Sequence, residues 1–344
     1  MKYKIALIGF GVVGQGFARI LLRRKAMLKR AYGVDVEVVA ISDIRLGSVY
    51  VDGGINLDLA LKLLRREGSI KNYPKGRKGL SSLETIKETD ANVIVEVTPT
   101  NLETGEPGRK HIKTALSEGK HVITTNKGPI ALAYKELKEI AERKGVLLRF
   151  EGTVMSGTPV IATASELLAG DEIKEIYGIV NGTTNFILTK MEEGMSYEDA
   201  LRMAQRMGYA EADPSMDVDG WDAAAKASIL ANAVMNGDVN IKEIEREGIR
   251  GISQEIIKSA MRKGRRIKLI IRVWREGKVR ARVKVEEVGK ESPLFTVSGV
   301  TNALVFKTDN LGEITLIGPG AGGVQTGQAI LSDLLAINRL LQAI

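Results

Sequence analysis

The sequence predicts an α/β protein in which a parallel-sheet domain is followed by a central α+β domain. Three observations carry that expectation. Strand-like and helix-like stretches alternate up to about residue 146, which is the pattern of repeated βαβ units. The first strand runs into a glycine-rich turn that opens a helix. After residue 146 the alternation stops, strands dominate, and a second glycine loop precedes one last helix.

Composition sets the outer limits. The 344 residues suffice for two domains, each with its own core. A hydrophobic share of 44% is that of a soluble globular protein. No apolar run approaches the roughly 18 residues of a membrane span. The strand-like Tyr3–Ile8 stands at the N-terminus with no signal-peptide cleavage region. With no cysteine there is no disulfide, thiolate metal ligand or cysteine nucleophile. A cytoplasmic protein is expected. The net charge of +8 includes clusters at Arg23-Arg24-Lys25, Lys29-Arg30 and Arg262–Arg266. The first two follow a helix with an apolar face and lack interleaved aromatics, so they read as a solvated face rather than a nucleic-acid platform.

Lys4–Ile8 suits a buried parallel strand. It leads into Gly9-Phe10-Gly11-Val12-Val13-Gly14 and a helix through Ile20–Leu22. This is G-x-G-x-x-G between a strand and a helix, the context that a dinucleotide fingerprint requires. Gly9 permits the tight turn, Gly11 lets backbone approach a pyrophosphate, and Gly14 lets helix pack on strand. The pyrophosphate would meet the helix's first amides. The domain is therefore expected to be of Rossmann type. The next strand, Val36–Ile41, ends near Asp43 and Arg45. The acid suits the ribose hydroxyls of NAD and the arginine suits the 2′-phosphate of NADP, so the cofactor choice stays open.

Residues 46–90 read as a helical excursion around Leu57–Arg66. The strand Ala91–Val97 ends in Thr98-Pro99-Thr100, and a helix containing His111 follows. The strand His121–Thr125 ends in Asn126-Lys127-Gly128, before a helix through Ala141. Those strand ends share the carboxyl edge of the sheet with the glycine loop, where open α/β sheets bind ligands. Lys127 is a site candidate for that reason.

Val146–Phe150 is a strand, and Glu151–Pro159 leads to a helix ending about Leu168. Glu172–Val180 is strand-like, and Asn181-Gly182-Thr183-Thr184-Asn185 opens a helix. Helices near 254–263 precede strands at Arg266–Trp274 and Lys278–Val285, and strands continue to Ile317. The loop Gly318–Gly323 then opens the helix Gln325–Leu340. Residues 1–146 with 318–344 are expected to form the dinucleotide-binding domain, and 147–317 the substrate-binding and dimerisation domain.

The stretch Gly208–Lys226 is the richest in chemistry. Its acids, with Pro214, Gly208 and Gly220, make a polar loop ahead of an alanine-rich helix starting near Asp219. Asp222 and Lys226, four apart, share one helix face. Glu211 and Asp217 precede it and are placed to fold over that face. Tyr209 belongs to the same loop. Carboxylates around one ammonium can hold a small zwitterion and exchange a proton with it. The plain alternative is a surface ion pair worth about 0.2–0.5 kcal/mol.

Taken together these motifs resemble homoserine dehydrogenase, nearly end to end. Gly9–Gly14, Thr98-Pro99-Thr100, Thr125-Asn126-Lys127, Glu151–Pro159, Asn181–Asn185, Glu211–Lys226 and Gly318–Gly323 occur in that family's order. The resemblance implies interconversion of homoserine and aspartate 4-semialdehyde with a nicotinamide cofactor, on the route to threonine, isoleucine and methionine. It implies Lys226 as acid/base, Glu211 and Asp222 as substrate ligands with Asp217 and Tyr209 beside them, and Lys127 as an assistant in positioning substrate or cofactor. Phe10, Val12, Val13, Thr98, Thr100 and Gly320–Gly322 would line the cofactor. Glu151, Val154, Ser156 and Thr158 would hold a sodium-like cation, largely through backbone oxygens. Met155-Ser156 departs from the Gly-Ala commoner in the family, and Gln325 from the commoner Pro. A homodimer joined through its sheets is expected, without the C-terminal regulatory domain of some relatives.

The residues fit that chemistry on their own terms. Delivering a hydride to an aldehyde leaves an alkoxide that needs a proton. His111 and His121 lie in a helix and at a strand start, so a lysine is the better-placed donor. A lysine's reference pKa of about 10.4 suits an acid, and work as a base requires burial to lower it. Asp222 opposes that lowering; a substrate ammonium engaging Asp222 and Glu211 would relieve the opposition. Aspartate-semialdehyde dehydrogenase needs a cysteine and is excluded. A related oxidoreductase of another amino acid, and a cofactor-binding regulator without turnover, are the rival readings.

Overall fold

A computed structural model describes Met1–Ala343. In chain order it forms β1 (Lys2–Ile8), α1 (Val12–Tyr32), β2 (Asp35–Asp43), β3 (Gly47–Tyr50), α2 (Leu57–Glu67), β4 (Arg77–Lys78), α3 (Ser82–Glu88) and β5 (Val93–Glu96). Next come α4 (Gly108–Ser117), β6 (His121–Thr124), α5 (Lys127–Lys144), β7 (Leu148–Arg149), α6 (Val160–Ala162), β8 (Ile173–Ile179), α7 (Gly182–Glu192) and α8 (Tyr197–Arg206). The remainder is α9 (Ser215–Val218), α10 (Trp221–Ile229), β9 (Glu245–Arg246), α11 (Gln254–Arg262), β10 (Arg266–Glu276), β11 (Lys278–Val288), β12 (Thr301–Thr308), β13 (Glu313–Pro319) and α12 (Gly323–Gln342).

Two compact units result, Met1–Gly157 with the segment from Gly322 onward, and Thr158–Ala321. The divisions fall later than the loss of alternation implies. Residues 147–157 stay with the first unit because β7 pairs with β6 and Glu151 N donates to Asp333 Oδ2 on α12 at 2.9 Å.

The first unit carries a seven-stranded sheet in the order β4-β3-β2-β1-β5-β6-β7. Pairing is parallel from β2 across to β7, and strand order reverses between β1 and β5, which is a topological switch point. Every residue of β5 is buried, as expected for a parallel sheet covered on both faces. The segment 46–90 is more than a helical excursion, since β3 and β4 extend the sheet edge antiparallel. The turn that reverses the chain is built on Asp43, whose Oδ1 accepts from Arg45 N at 2.9 Å and Leu46 N at 3.0 Å. α3 opens with a capping box between Ser81 and Glu84. α12 packs on α1 at glycine contacts. A Cβ on Gly16 would fall 2.0 Å from Gly323 O, and one on Gly327 would fall 2.6 Å from Phe17 N.

The second unit carries a six-stranded sheet in the order β13-β12-β8-β10-β11-β9. Its pairs are antiparallel except β11 with β9. Ile179, Ile270, Leu294 and Val305 belong to its buried core, and α10 packs on β10 and β11. The helix expected to reach Leu168 is regular only to Ala162, then widens into a π-turn over Thr163–Leu167. Thr163 Oγ1 donates to Pro159 O, and Ser165 Oγ to Ile161 O. Such hydroxyls compete for helix carbonyls and loosen the turn. Among the described residues no helix is long and apolar enough to cross a membrane.

Candidate active site

In the first unit the glycine loop has the geometry a dinucleotide requires. Gly9 sits at φ +101°, and a Cβ there would lie 2.7 Å from Val97 O, so only glycine fits. A Cβ on Gly14 would strike Gly9 O at the same distance. Gly11 has nothing within 4 Å of its Cβ position, which leaves room for a phosphate to approach the backbone. It is also the N-cap of α1, without a side-chain cap or an acid in the first turn. The first-turn amides therefore fit an anion. Val12 is exposed, but the Phe10 side chain is fully buried in the core. Phe10 can meet a cofactor through its main chain alone, because the hydrophobic effect turns the ring inward. Its N–H donates to Asp43 Oδ2 at 2.8 Å, so Asp43 ties the end of β2 to the glycine loop. Arg45 beside it is exposed.

At the neighbouring strand ends Thr98 is half-buried and Thr100 exposed, and half-buried Lys127 opens α5. Asn126 caps that helix, accepting from Gly128 N at 3.2 Å. Gly322 reaches φ +131° ahead of α12. In the second unit Gly320 lies against the Asn302 carboxamide, with its Cβ position 2.2 Å from Nδ2.

Of the expected cation ligands, Glu151 is buried and opens a 3-10 turn, to which Val154 N returns at 3.4 Å from Glu151 O. Ser156 is held by Thr326, Oγ to Oγ1 at 2.8 Å. Met155 and Ser156 have φ of 55° and 56°, which costs non-glycine residues strain of order 1–3 kcal/mol each. Thr158 Oγ1 donates to Pro319 O in the second unit. Among the described residues no group of three or more His, Asp or Glu is placed to hold a metal. The expected set offers one carboxylate and otherwise backbone and hydroxyl oxygens.

The second unit builds the amine site. Asp222 to Ile229 are all buried on α10, because Ala223, Ala224, Ala225 and Ala227 are small enough to pack on every side. Lys226 Nζ donates to Asp222 Oδ2 at 2.7 Å and to Val180 O at 2.5 Å. Asn181 Nδ2 donates to Asp217 Oδ1 at 2.6 Å and Asp222 Oδ2 at 2.9 Å, while its Oδ1 caps α7 at Thr184 N. Asp217, Asp222 and Lys226 thus form one cluster, hinged on Asn181. The Asn181 motif was visible in the sequence as a helix start, but nothing local marks it as a bridge between carboxylates.

Glu211 does not join the cluster. It is exposed, and its carboxylate makes no hydrogen bond or ion pair among the described residues; its main-chain carbonyl accepts from Gln205 Nε2. Tyr209 stacks edge-on against Phe186 at 5.1 Å, and its carbonyl accepts from Thr183 Oγ1. The loop is pinned there, and Glu211 lies beyond the pin.

The model of the family described as homoserine dehydrogenase, NAD binding domain, matches residues 9–151. The homoserine dehydrogenase model matches residues 159–335. The chain belongs to the homoserine dehydrogenase family. It is 45% identical to homoserine dehydrogenase of Methanocaldococcus jannaschii, over 97% of this chain and 98% of that one. It is 40% identical to an NAD(+)-dependent homoserine dehydrogenase of Pseudomonas canavaninivorans, over 98% of this chain and 97% of that one. Among solved structures, a hyperthermophilic archaeal homoserine dehydrogenase in complex with NADPH superposes with a TM-score of 0.85 at 35% identity, covering 99% and 98% of the two chains. Homoserine dehydrogenases are NAD(P)-dependent oxidoreductases, and the glycine-loop geometry above suits that cofactor class.

Proposed function

We propose that the chain interconverts L-homoserine and L-aspartate 4-semialdehyde with NAD or NADP, in the biosynthesis of threonine, isoleucine and methionine. The observation that carries this reading is the buried Lys226 amine, 2.7 Å from Asp222 Oδ2 and sharing a cluster with Asp217 through Asn181. Bound nicotinamide supplies or accepts the hydride. The chain's own work is the proton: Lys226 Nζ protonates the substrate oxygen in reduction and takes the proton back in oxidation. Asp222 orients the amine by a charge-assisted hydrogen bond.

The substrate ammonium is taken by Asp222 and by Glu211, whose exposed loop closes over it, with Asp217 and Tyr209 as neighbours. Gly9–Gly14, Thr98, Thr100, Gly320 and Gly322 line the cofactor, and Lys127 helps to position it. Asp43 serves the ribose of NAD, or Arg45 the phosphate of NADP. Glu151, Val154, Ser156 and Thr158 hold a sodium-like cation, the protein is cytoplasmic, and two copies join through their second-unit sheets. The family resemblance supports these assignments.

Homoserine incubated with the protein and either NAD or NADP should raise the absorbance of reduced nicotinamide, and the relative rates assign the cofactor. No reduction with either cofactor would sink the reading. Reduction with a different amino-acid alcohol and not with homoserine would transfer it to a related oxidoreductase.

A further inference from the structure

Glu96 ends β5 fully buried, after the apolar Val93, Ile94 and Val95. Packing between the central strands would be served by another valine. A buried carboxylate is costly unless hydrogen bonds compensate it, and here they are supplied from two directions. Oε1 accepts from Thr98 N at 3.0 Å and from Thr98 Oγ1. Oε2 accepts from Thr124 Oγ1, at the end of β6, at 3.0 Å. Thr124 Oγ1 in turn accepts from Asn126 N at 3.0 Å. Asn126 Nδ2 donates back to Thr98 Oγ1 and Pro99 O, both at 3.4 Å, while its Oδ1 caps α5 at Gly128 N. The bonds close a ring under the carboxyl ends of β5 and β6. His111 Nδ1 lies 3.9 Å from Oε1, too far for a hydrogen bond.

We propose that Glu96 is a positioning residue for the cofactor. Its carboxylate fixes Thr98 on one side and, through Thr124 and Asn126, the first turn of α5 that carries Lys127 on the other. The inference rests on the reading that Thr98 and Lys127 meet the nicotinamide cofactor. A Cβ on Gly128 would fall 2.3 Å from Asn101 O, so the loop after Thr98 packs directly on the start of that helix. A shift of either strand end is therefore felt by the other.

Glu96→Gln keeps the length and shape of the side chain but replaces one acceptor by a donor. The new amide then faces Thr124 Oγ1 as a donor, so the Thr124 hydroxyl loses the acceptor it donates to. Titrating the protein with reduced nicotinamide cofactor and following its fluorescence should show affinity about tenfold weaker, because Thr98 and the start of α5 are no longer held where the cofactor meets them. The KM for homoserine should stay within twofold. Thr124→Val breaks only the branch toward Asn126 and should give part of the loss, and adding it to Glu96→Gln should weaken binding no further. Unchanged cofactor affinity in a folded Glu96→Gln protein would overturn the proposal, as would equal losses for cofactor and homoserine. If Glu96→Gln does not fold, Thr124→Val decides alone, and normal cofactor affinity there overturns it. Cofactor binding is read without turnover, so a wild-type protein that binds nicotinamide yet fails to oxidise homoserine sinks the proposed substrate and leaves this test intact.

Discussion

Replacing Lys226 by methionine tests the proposed chemistry with little change of volume. Lys226 is 6% exposed, so its stem is packed, and the thioether should fill the same space. The hydrogen bonds to Asp222 Oδ2 and Val180 O are lost with the amine. Removing one partner of a buried ion pair costs about 3–5 kcal/mol. Asp222 keeps the Asn181 amide at 2.9 Å, which places the cost at the lower end. For a unit the size of Thr158–Ala321, about 3 kcal/mol lowers the melting midpoint by roughly 6–12 °C.

The effect on rate is of another order. Loss of a positioned acid/base slows turnover about 10²–10⁴-fold, or roughly 3–5 kcal/mol of barrier. Cofactor affinity should hold, because the glycine loop belongs to the first unit. The assay is initial rate in both directions by nicotinamide absorbance, with a parallel cofactor titration below the melting midpoint. Turnover within tenfold of wild type, in either direction, would refute Lys226 as the proton carrier.

Gly11→Ala should leave the melting midpoint unchanged, since nothing lies within 4 Å of its Cβ position, yet weaken cofactor binding by crowding the pyrophosphate. Gly9→Ala, at φ +101° and 2.7 Å from Val97 O, should lower the midpoint as well; equal stability of the two variants would contradict this account of the loop. Lys268 is fully buried, with Nζ 3.2 Å from Asn185 Oδ1. Burial pushes its ammonium from an ordinary 10.5 down to about 8. Between those values the unfolded chain holds a proton that the folded chain has released, so this residue makes stability rise with pH there. Melting curves from pH 8 to 10.5 should therefore climb less in Lys268→Met than in wild type, and an identical slope would show that Lys268 does not titrate in this range.

Much of the molecule was legible because its signals are local. The glycine loop announced itself through the spacing of three glycines between a strand and a helix, although the contact that demands Gly9 comes from Val97, distant in sequence. The strands before Thr98 and Lys127 were readable from apolar runs, and their shared edge followed from parallel topology. Asp222 and Lys226 were paired by helix spacing alone. Other features needed the fold. β3 and β4 exist because Asp43 turns the chain back on β2, where the short Gly47–Tyr50 run finds a partner. Phe10 belongs to the core although its neighbour Val12 is exposed. Glu211 and Asp217 looked equivalent in sequence, yet Asn181 captures one and leaves the other in solvent. Glu96 read as one more residue of an apolar strand, and its role depends on Thr124, distant in sequence. Sequence alone determined the main βα alternation, the order of the motifs and the pairing of amine with carboxylate, since these depend on spacing along the chain. Tertiary structure decided which polar groups are buried and who satisfies them, because a buried donor or acceptor takes whatever partner the packing brings within about 3 Å.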